Sequence, residues 1–270
     1  MNDLVSVVIP ARNEQYLSKT IDGLLTNSSG NIEIIAVLDG YWPKYEELSF
    51  DKRVNYIHFT DARGMRNGIN KAVDLANGRY ILKTDAHCLW AKGYDQVLKE
   101  SHRENWVVVP RRYSLDKETW ERKNKPPVDY MYLSNDLHGR EWTDKNEMTN
   151  QLPEIDDLMS SQGSAWFMEK SYYQYLELLD EDKYGTFWQE FQEIGLKCWL
   201  SGGEVKVNKK TWYAHLHKDK EMGRGYNLPG EEQAKTAKLM EEWKSKIVFK
   251  HQKYNLDWLV NKFKPVPTWN

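Results

Sequence analysis

The sequence predicts an α/β fold, a mostly parallel central sheet with helices on both faces, and three observations carry that expectation. Short apolar runs rich in β-formers recur along the first part of the chain, stretches with helical spacing separate them, and acids stand where the runs end. At 270 residues and 40% hydrophobic content the chain can bury a full core. A formal net charge of −2 gives no global electrostatic reason to bind nucleic acid or an anionic membrane.

Taken in order, Val5-Ser-Val-Val-Ile9 is a compact strand closed by Pro10. Ala11-Arg-Asn-Glu14 then opens a helix with Leu17, Ile21, Leu24 and Leu25 at helical spacing. The second strand, Ile32 to Leu38, ends in Asp39-Gly40, an acid at the sheet edge where open α/β folds bind ligands. A third strand covers Val54 to Phe59. Met65, Ile69, Ala72, Val73 and Ala76 make one helical stripe, with Gly78 expected as its C-cap. Strands alternating with helices in this way imply right-handed parallel crossovers.

The stretch Tyr80-Ile-Leu-Lys-Thr-Asp85-Ala86-His87-Cys88 stands out, an apolar strand that breaks into an acid, a small residue and a histidine. A spacing of two puts Asp85 and His87 on one side. A carboxylate and an imidazole so placed can take two positions of an octahedral Mn²⁺ or Mg²⁺, leaving the others for water and diphosphate oxygens. The same triplet also fits a strand end with a helix cap.

A helix around Tyr94–Leu98 and a strand Trp106–Val109 extend the sheet, after which residues 111–151 turn polar and poorly periodic, an active-site excursion or a mobile insertion. Regular structure resumes at Gly163–Met168, followed by a helix carrying Phe187, Phe191, Ile194 and Cys198 on one face. Glu190 borders that stripe, as helix surface or as an acid reaching into a cleft. A strand near Glu204–Val207 leads to Trp212–His217, where His215 and His217 repeat the spacing of Asp85 and His87. The loop from Lys218 to Gly230, with Gly223, Gly225 and Gly230, suits a hinged lid. Glu231 to Phe249 reads as a last helix and residues 250–270 as a basic, aromatic tail. One domain over residues 1–249 is expected, 1–110 as its nucleotide-binding half and 111–249 as its acceptor half.

A Rossmann dinucleotide site and a P-loop are disfavoured, because no Gly-x-Gly-x-x-Gly opens a helix and no glycine-rich loop ends in Gly-Lys-Ser/Thr. A nucleotide lying across the strand ends would instead meet Pro10, Ala11, Arg12 and Glu14, then Asp39, Arg66 and Asp85. Asp39 could accept from a uracil or ribose and Arg66 could bond an anionic donor, although caps and a solvated helix face explain Glu14, Asp39 and Arg66 equally. Cys88 and Cys198 form no Cys-x-x-Cys pair, no apolar run reaches membrane-spanning length, and the first strand leaves no room for a signal peptide. A cytoplasmic setting is the expectation.

Several of these stretches, in this order, resemble the GT-A-fold glycosyltransferases, most of all the catalytic domain of the polypeptide N-acetylgalactosaminyltransferases, with similarity also to glycosyltransferase family 2. Val-Val-Ile-Pro-Ala-Arg-Asn13-Glu14 resembles the family's opening strand and Asn-Glu, and Asp85-Ala-His87-Cys88 its Asp-x-His-Cys metal motif. Gly163 through Lys170 is similar to its Gly-Gly stretch, and Glu190-Phe-Gln-Glu193 through Trp199 to Gly202-Gly203 to its Glu-Asn-Leu-Glu helix. Ala214-His215-Leu216 and Tyr226-Asn-Leu-Pro-Gly230 match a third metal ligand and a mobile loop. The resemblance implies Mn²⁺ held by Asp85, His87 and His215, and a UDP-sugar against Pro10, Ala11, Arg12, Glu14, Asp39, Arg66, Asp85, Ala86 and Tyr226. It also implies retention, with Glu190 orienting the donor or acceptor, whereas inverting GT-A relatives use an acid near that position as base.

Two departures matter. Phe187-Trp188-Gln189 stands where the family has Trp-Gly-Gly, and Phe191 where it has Asn, so the sugar and acceptor pocket must differ. With no lectin domain or anchor in view, the expectation is a bacterial or viral cytoplasmic enzyme glycosylating a glycan. Hydroxymethylated pyrimidines of phage DNA are the alternative acceptor, suggested by Arg111, Arg112, Lys117, Arg122, Lys123 and Lys125 interleaved with Tyr113 and Trp120. A catalytically silent nucleotide-sugar-binding domain and a sugar-phosphate nucleotidyltransferase are the other readings. The latter wants glycines after the first strand that Ala11–Glu14 lacks.

Overall fold

A computed structural model describes residues 3–218, 227–228 and 230–269. In chain order the first half contains β1 (Val5–Ala11), α1 (Leu17–Asn27), β2 (Ile32–Asp39), β3 (Val54–Phe59), α2 (Met65–Leu75), β4 (Tyr80–Thr84), β5 (Cys88–Trp90), α3 (Tyr94–Ser101) and β6 (Trp106–Ser114). The second half adds β7 (Met131–Leu133), β8 (Gly139–Glu141), α4 (Thr143–Glu147), β9 (Ile155–Asp157), β10 (Ala165–Glu169), α5 (Lys170–Tyr175), α6 (Glu181–Tyr184), α7 (Glu190–Leu200), β11 (Glu204–His215), α8 (Gly230–Glu242) and α9 (Leu256–Phe263). The main sheet runs β3-β2-β1-β4-β10-β6-β11-β5, with β9 beside β11.

β1 pairs in parallel with β2 and β4, and β2 with β3, as the alternation of strands and helices requires. Both faces are covered. Val7 and Ile9 join one apolar cluster while Val8, between them, joins the other, which is why these strands read as unbroken apolar runs. The sheet turns mixed beyond β4, because β10 lies antiparallel between β4 and β6 and β5 antiparallel to β11. Those pairings join residues far apart in sequence, and no local pattern announces them.

Several expected boundaries move. Helix α2 ends at Leu75, with Ala76 already extended, so Gly78 is no helix cap. A Cβ there would lie 2.6 Å from the Leu4 carbonyl and the Ser6 hydroxyl, so glycine is needed for close approach. Phe187 precedes α7, whose first residue is Glu190 after a left-handed Gln189 (φ 59°). The single strand β11 spans both the 204–207 run and the histidine-bearing end, with a register shift between Asn208 and Trp212.

Residues 111–151 are not structureless. Tyr130, Leu133, Leu137 and Trp142 are buried under the β7–β8 hairpin, and Arg111 grips Asp129 through two nitrogens at 2.7–3.0 Å. The expected last helix stops at Glu242, and residues 250–269 are not an appended tail. Leu256, Leu259, Val260 and Phe263 of α9 enter the larger core cluster, and the Trp269 indole donates to the Leu133 carbonyl at 2.7 Å. Among the described residues no helix is long and apolar enough to cross a membrane.

Candidate active site

A cleft of about 960 Å³ opens along the C-terminal ends of β1, β2 and β4 and is closed opposite by residues 161–164 and 186–192. Open parallel sheets leave such a crevice where strand order reverses, and strand-end side chains point into it. Pro10, Ala11, Arg12, Glu14, Asp39, Asp85, Ala86, His87, Glu190 and His215 all line it, so most of the residues singled out from the sequence come together. Asn227 and Leu228 reach the rim. Tyr226 and most of the expected lid lie outside the described residues.

The floor holds a compact group. His215 Nε2 is 3.1 Å from His87 Nε2 and 3.3 Å from Asp85 Oδ2, and one donor atom from each of the three residues lies within 4.8 Å of the others. An octahedral ion with bonds of about 2.1 Å sets adjacent ligands about 3 Å apart, so the spacing fits a divalent cation. His217, two residues on, is exposed, lines the cleft and packs edge-on against the His215 ring, but stands outside the group.

The protonation states suit ligation. Burial pushes His215 down to about 4, so at neutral pH the ring is the neutral imidazole that a metal ligand must be. Burial alone would raise Asp85, but the Lys83 ammonium and the two imidazoles outweigh it and hold the carboxyl well below its usual range. His87 Nδ1 lies 3.2 Å from Glu14 Oε2, a contact that fixes the ring with Nε2 turned to His215, as a metal ligand would need. Lys218 pairs with the other oxygen of Glu14. Glu14 therefore reaches the site through His87 as well as lining the cleft.

The Asp39 carboxylate lines the cleft and accepts from the backbone N–H groups of Arg63 at 2.6 Å and Gly64 at 3.0 Å, and so shapes the 61–64 turn. One residue differs from its expected place. Arg66 is not brought into the cleft. Fully buried, it pairs with Glu193 and donates to the Trp188 carbonyl at 2.5 Å, while Arg63, one turn earlier, lines the wall.

Lys83 escaped the sequence reading, although a charge inside an apolar strand was its signal. Its buried ammonium donates to Asp85 Oδ1 at 2.7 Å and to the Gly163 carbonyl at 2.5 Å, and lies 3.3 Å from the Glu190 carboxylate. Glu190 also accepts from the Trp166 indole at 2.9 Å, and burial raises its pKa. A Cβ at Gly163 would sit 2.2 Å from Glu190 Oε2, so any side chain there would displace the Glu190 carboxylate. Trp188 and Gln189 line the cleft beside Glu190, and the buried Trp188 Nε1 has no hydrogen-bond partner among the described residues.

Known proteins carry the same architecture. A region of glycosyltransferase GlyG from Streptococcus pneumoniae serotype 4 is 30% identical over 124 residues, 43% of this chain and 41% of that protein. A putative polypeptide N-acetylgalactosaminyltransferase 13 from Drosophila melanogaster is 26% identical over 232 residues, 78% of this chain and again 41% of the relative. The matches thus span about two fifths of either relative's length. A crystal structure of GalNAc-T7 with UDP, GalNAc and Mn²⁺ superposes with a TM-score of 0.69 at 17% identity, covering 84% of this chain and 45% of that one, and so shares the GT-A fold. The family model for glycosyl transferase family 2 matches residues 6–176, more than half of the chain, and the protein belongs to that family.

Proposed function

We propose that the protein transfers a sugar from a UDP-sugar to a hydroxyl of a glycan acceptor, with Mn²⁺ or Mg²⁺ held by Asp85, His87 and His215. The observation that carries this reading is the convergence of one carboxylate oxygen and two imidazole Nε2 atoms at the strand edge, 3.1 and 3.3 Å from His215 Nε2. When bound, the cation acts as a Lewis acid that offsets charge developing on the departing diphosphate.

The chain's own residues do the rest. Pro10, Ala11, Arg12 and the 61–64 turn braced by Asp39 form the wall for the nucleoside. Glu190, fixed by Trp166 and Lys83, stands beside the reacting sugar and orients donor or acceptor, a role consistent with retention. Trp188 and Gln189 narrow that side. A glycan is favoured over DNA because the heart of the basic patch is committed elsewhere: Arg111 to Asp129, Arg112 to Gln162, and Arg122 to the rings of Tyr113 and Trp212. UDP release across a donor panel, with and without Mn²⁺ and saccharide acceptors, tests the proposal. Metal-dependent release that an acceptor accelerates is expected; equal release in EDTA would overturn it.

A further inference from the structure

The buried cation beneath the cleft raises a question that the proposed metal site leaves open, namely what Lys83 does there. Its neighbours on β4, Ile81 and Leu82, are wholly buried hydrophobics, and an apolar residue would fill position 83 without the penalty of desolvating a charge. The three groups within reach of the ammonium all belong to the cleft: Asp85 Oδ1, the Gly163 carbonyl and the Glu190 carboxylate, whose two oxygens both lie 3.3 Å away. A cation retained at such cost, and bonded only to site groups, acts on the site.

We infer that Lys83 is a positioning residue that occupies one oxygen of Asp85, leaving the other alone to face the two histidines, and that couples this metal ligand to Glu190. Asp85 Oδ1 accepts from Lys83 at 2.7 Å while Oδ2 lies 3.3 Å from His215 Nε2, so the two oxygens have different tasks. The arrangement enforces one-oxygen ligation and keeps a positive charge close behind the ligand. Both effects weaken cation binding. Lys83 also fixes the separation of Asp85 from Glu190, so that the diphosphate end and the sugar end of a donor share one anchor. Metal affinity is thereby exchanged for placement of the acid.

The inference rests on the proposed metal site, and Mn²⁺ titration of the intact protein, read by the electron paramagnetic resonance of free Mn²⁺, separates the two. Lys83→Met, similar in volume, frees Asp85 Oδ1 and removes the charge. It should tighten Mn²⁺ binding about tenfold or more while lowering kcat for transfer. Glu190→Gln, which leaves Lys83 to act on Asp85 alone, should shift affinity the other way. A merely structural lysine would lose Mn²⁺ binding and kcat together. Should Lys83→Met fold poorly, the double variant Lys83→Met/Glu190→Gln removes both charges and should still bind Mn²⁺ more tightly than the unmodified protein. Affinity unchanged or weakened in the variants that lack Lys83 overturns the inference and leaves the metal site standing; absence of Mn²⁺ binding by the unmodified protein overturns both.

Discussion

Glu190 and Glu193 stand three residues apart in the first turn of α7, both buried, yet they belong to clusters of opposite character. Glu193 is sealed: Arg66 holds one oxygen, and Lys197 at 2.6 Å and the Asp180 N–H at 3.2 Å hold the other. Two cations serve one acid. Around Glu190 the ratio reverses, since Lys83 alone faces two acids, Glu190 and Asp85, and the adjoining His215 is neutral at physiological pH. A buried group of acids short of positive charge must open to water, take up a cation or hold a proton, and this one lines the cleft. Charge balance, more than burial or residue type, separates the architectural cluster from the chemical one.

The widest test of that contrast removes an acid from each cluster. Asp85→Ala should cost at least about a thousandfold in transfer rate, because it would delete a ligand of the proposed metal site, yet leave the melting temperature close to the parent's, since Lys83 keeps Glu190 as a partner. Activity within tenfold of the parent would remove Asp85 from the chemistry. EDTA should mimic the variant, and added Mn²⁺ should reverse EDTA. Glu193→Gln should do the opposite. It strands Arg66 and Lys197 together in the interior, a loss of about 3–5 kcal/mol seen as an earlier urea midpoint. The folded fraction should still bind Mn²⁺, and an unchanged midpoint would show that the sealed cluster is not architectural.

A smaller effect is expected one step back from the ion. Glu14→Ala leaves His87 Nδ1 without its carboxylate and its ring free to turn, which should weaken Mn²⁺ binding about 10- to 100-fold. Titration showing the parental affinity would mean that packing alone fixes the imidazole.

How far these assignments were legible in the sequence follows from the same physics. Strands β1, β2 and β4 are covered on both faces, so their apolar runs stood out. Asp85 and His87 do both line the cleft, but from the bend between β4 and β5, where Ala86 lines it too, and not by strand alternation. His215 was different. Nothing local separates it from His217, and it took the resemblance, then the pairing of β11 with β5 at His215 and Cys88, to set it beside His87. Arg66 was misplaced because a helix-borne arginine near a strand end looks alike whether it faces a ligand or a glutamate 127 positions away. Lys83 was overlooked because the apolar run around it was read as a whole. In residues 250–270 the basic residues drew the eye, although Leu256, Leu259, Val260 and Phe263 carry helical spacing.

That last segment supplies the calibration for the others, a purely architectural change with no charge in it. Asn255 caps α9 by accepting from the Trp258 N–H at 2.9 Å, and the helix it starts packs Phe263 edge-on against Trp199 of α7, the helix that carries both glutamates. Replacing a capping asparagine with alanine leaves one N–H of the first turn without its partner and costs about 1 kcal/mol. For a domain of this size that is a fall in melting temperature of about 2–4 °C. If α9 is part of the core, Asn255→Ala should show that fall in a thermal melt while Mn²⁺ affinity and transfer rate stay at parental values, because no group of the cleft moves. A melt that matches the parent's would detach α9 from the cooperative unit. A loss of Mn²⁺ binding at so small a cost in stability would show instead that α7 transmits strain from its buried end to Glu190, and that the two clusters are not independent.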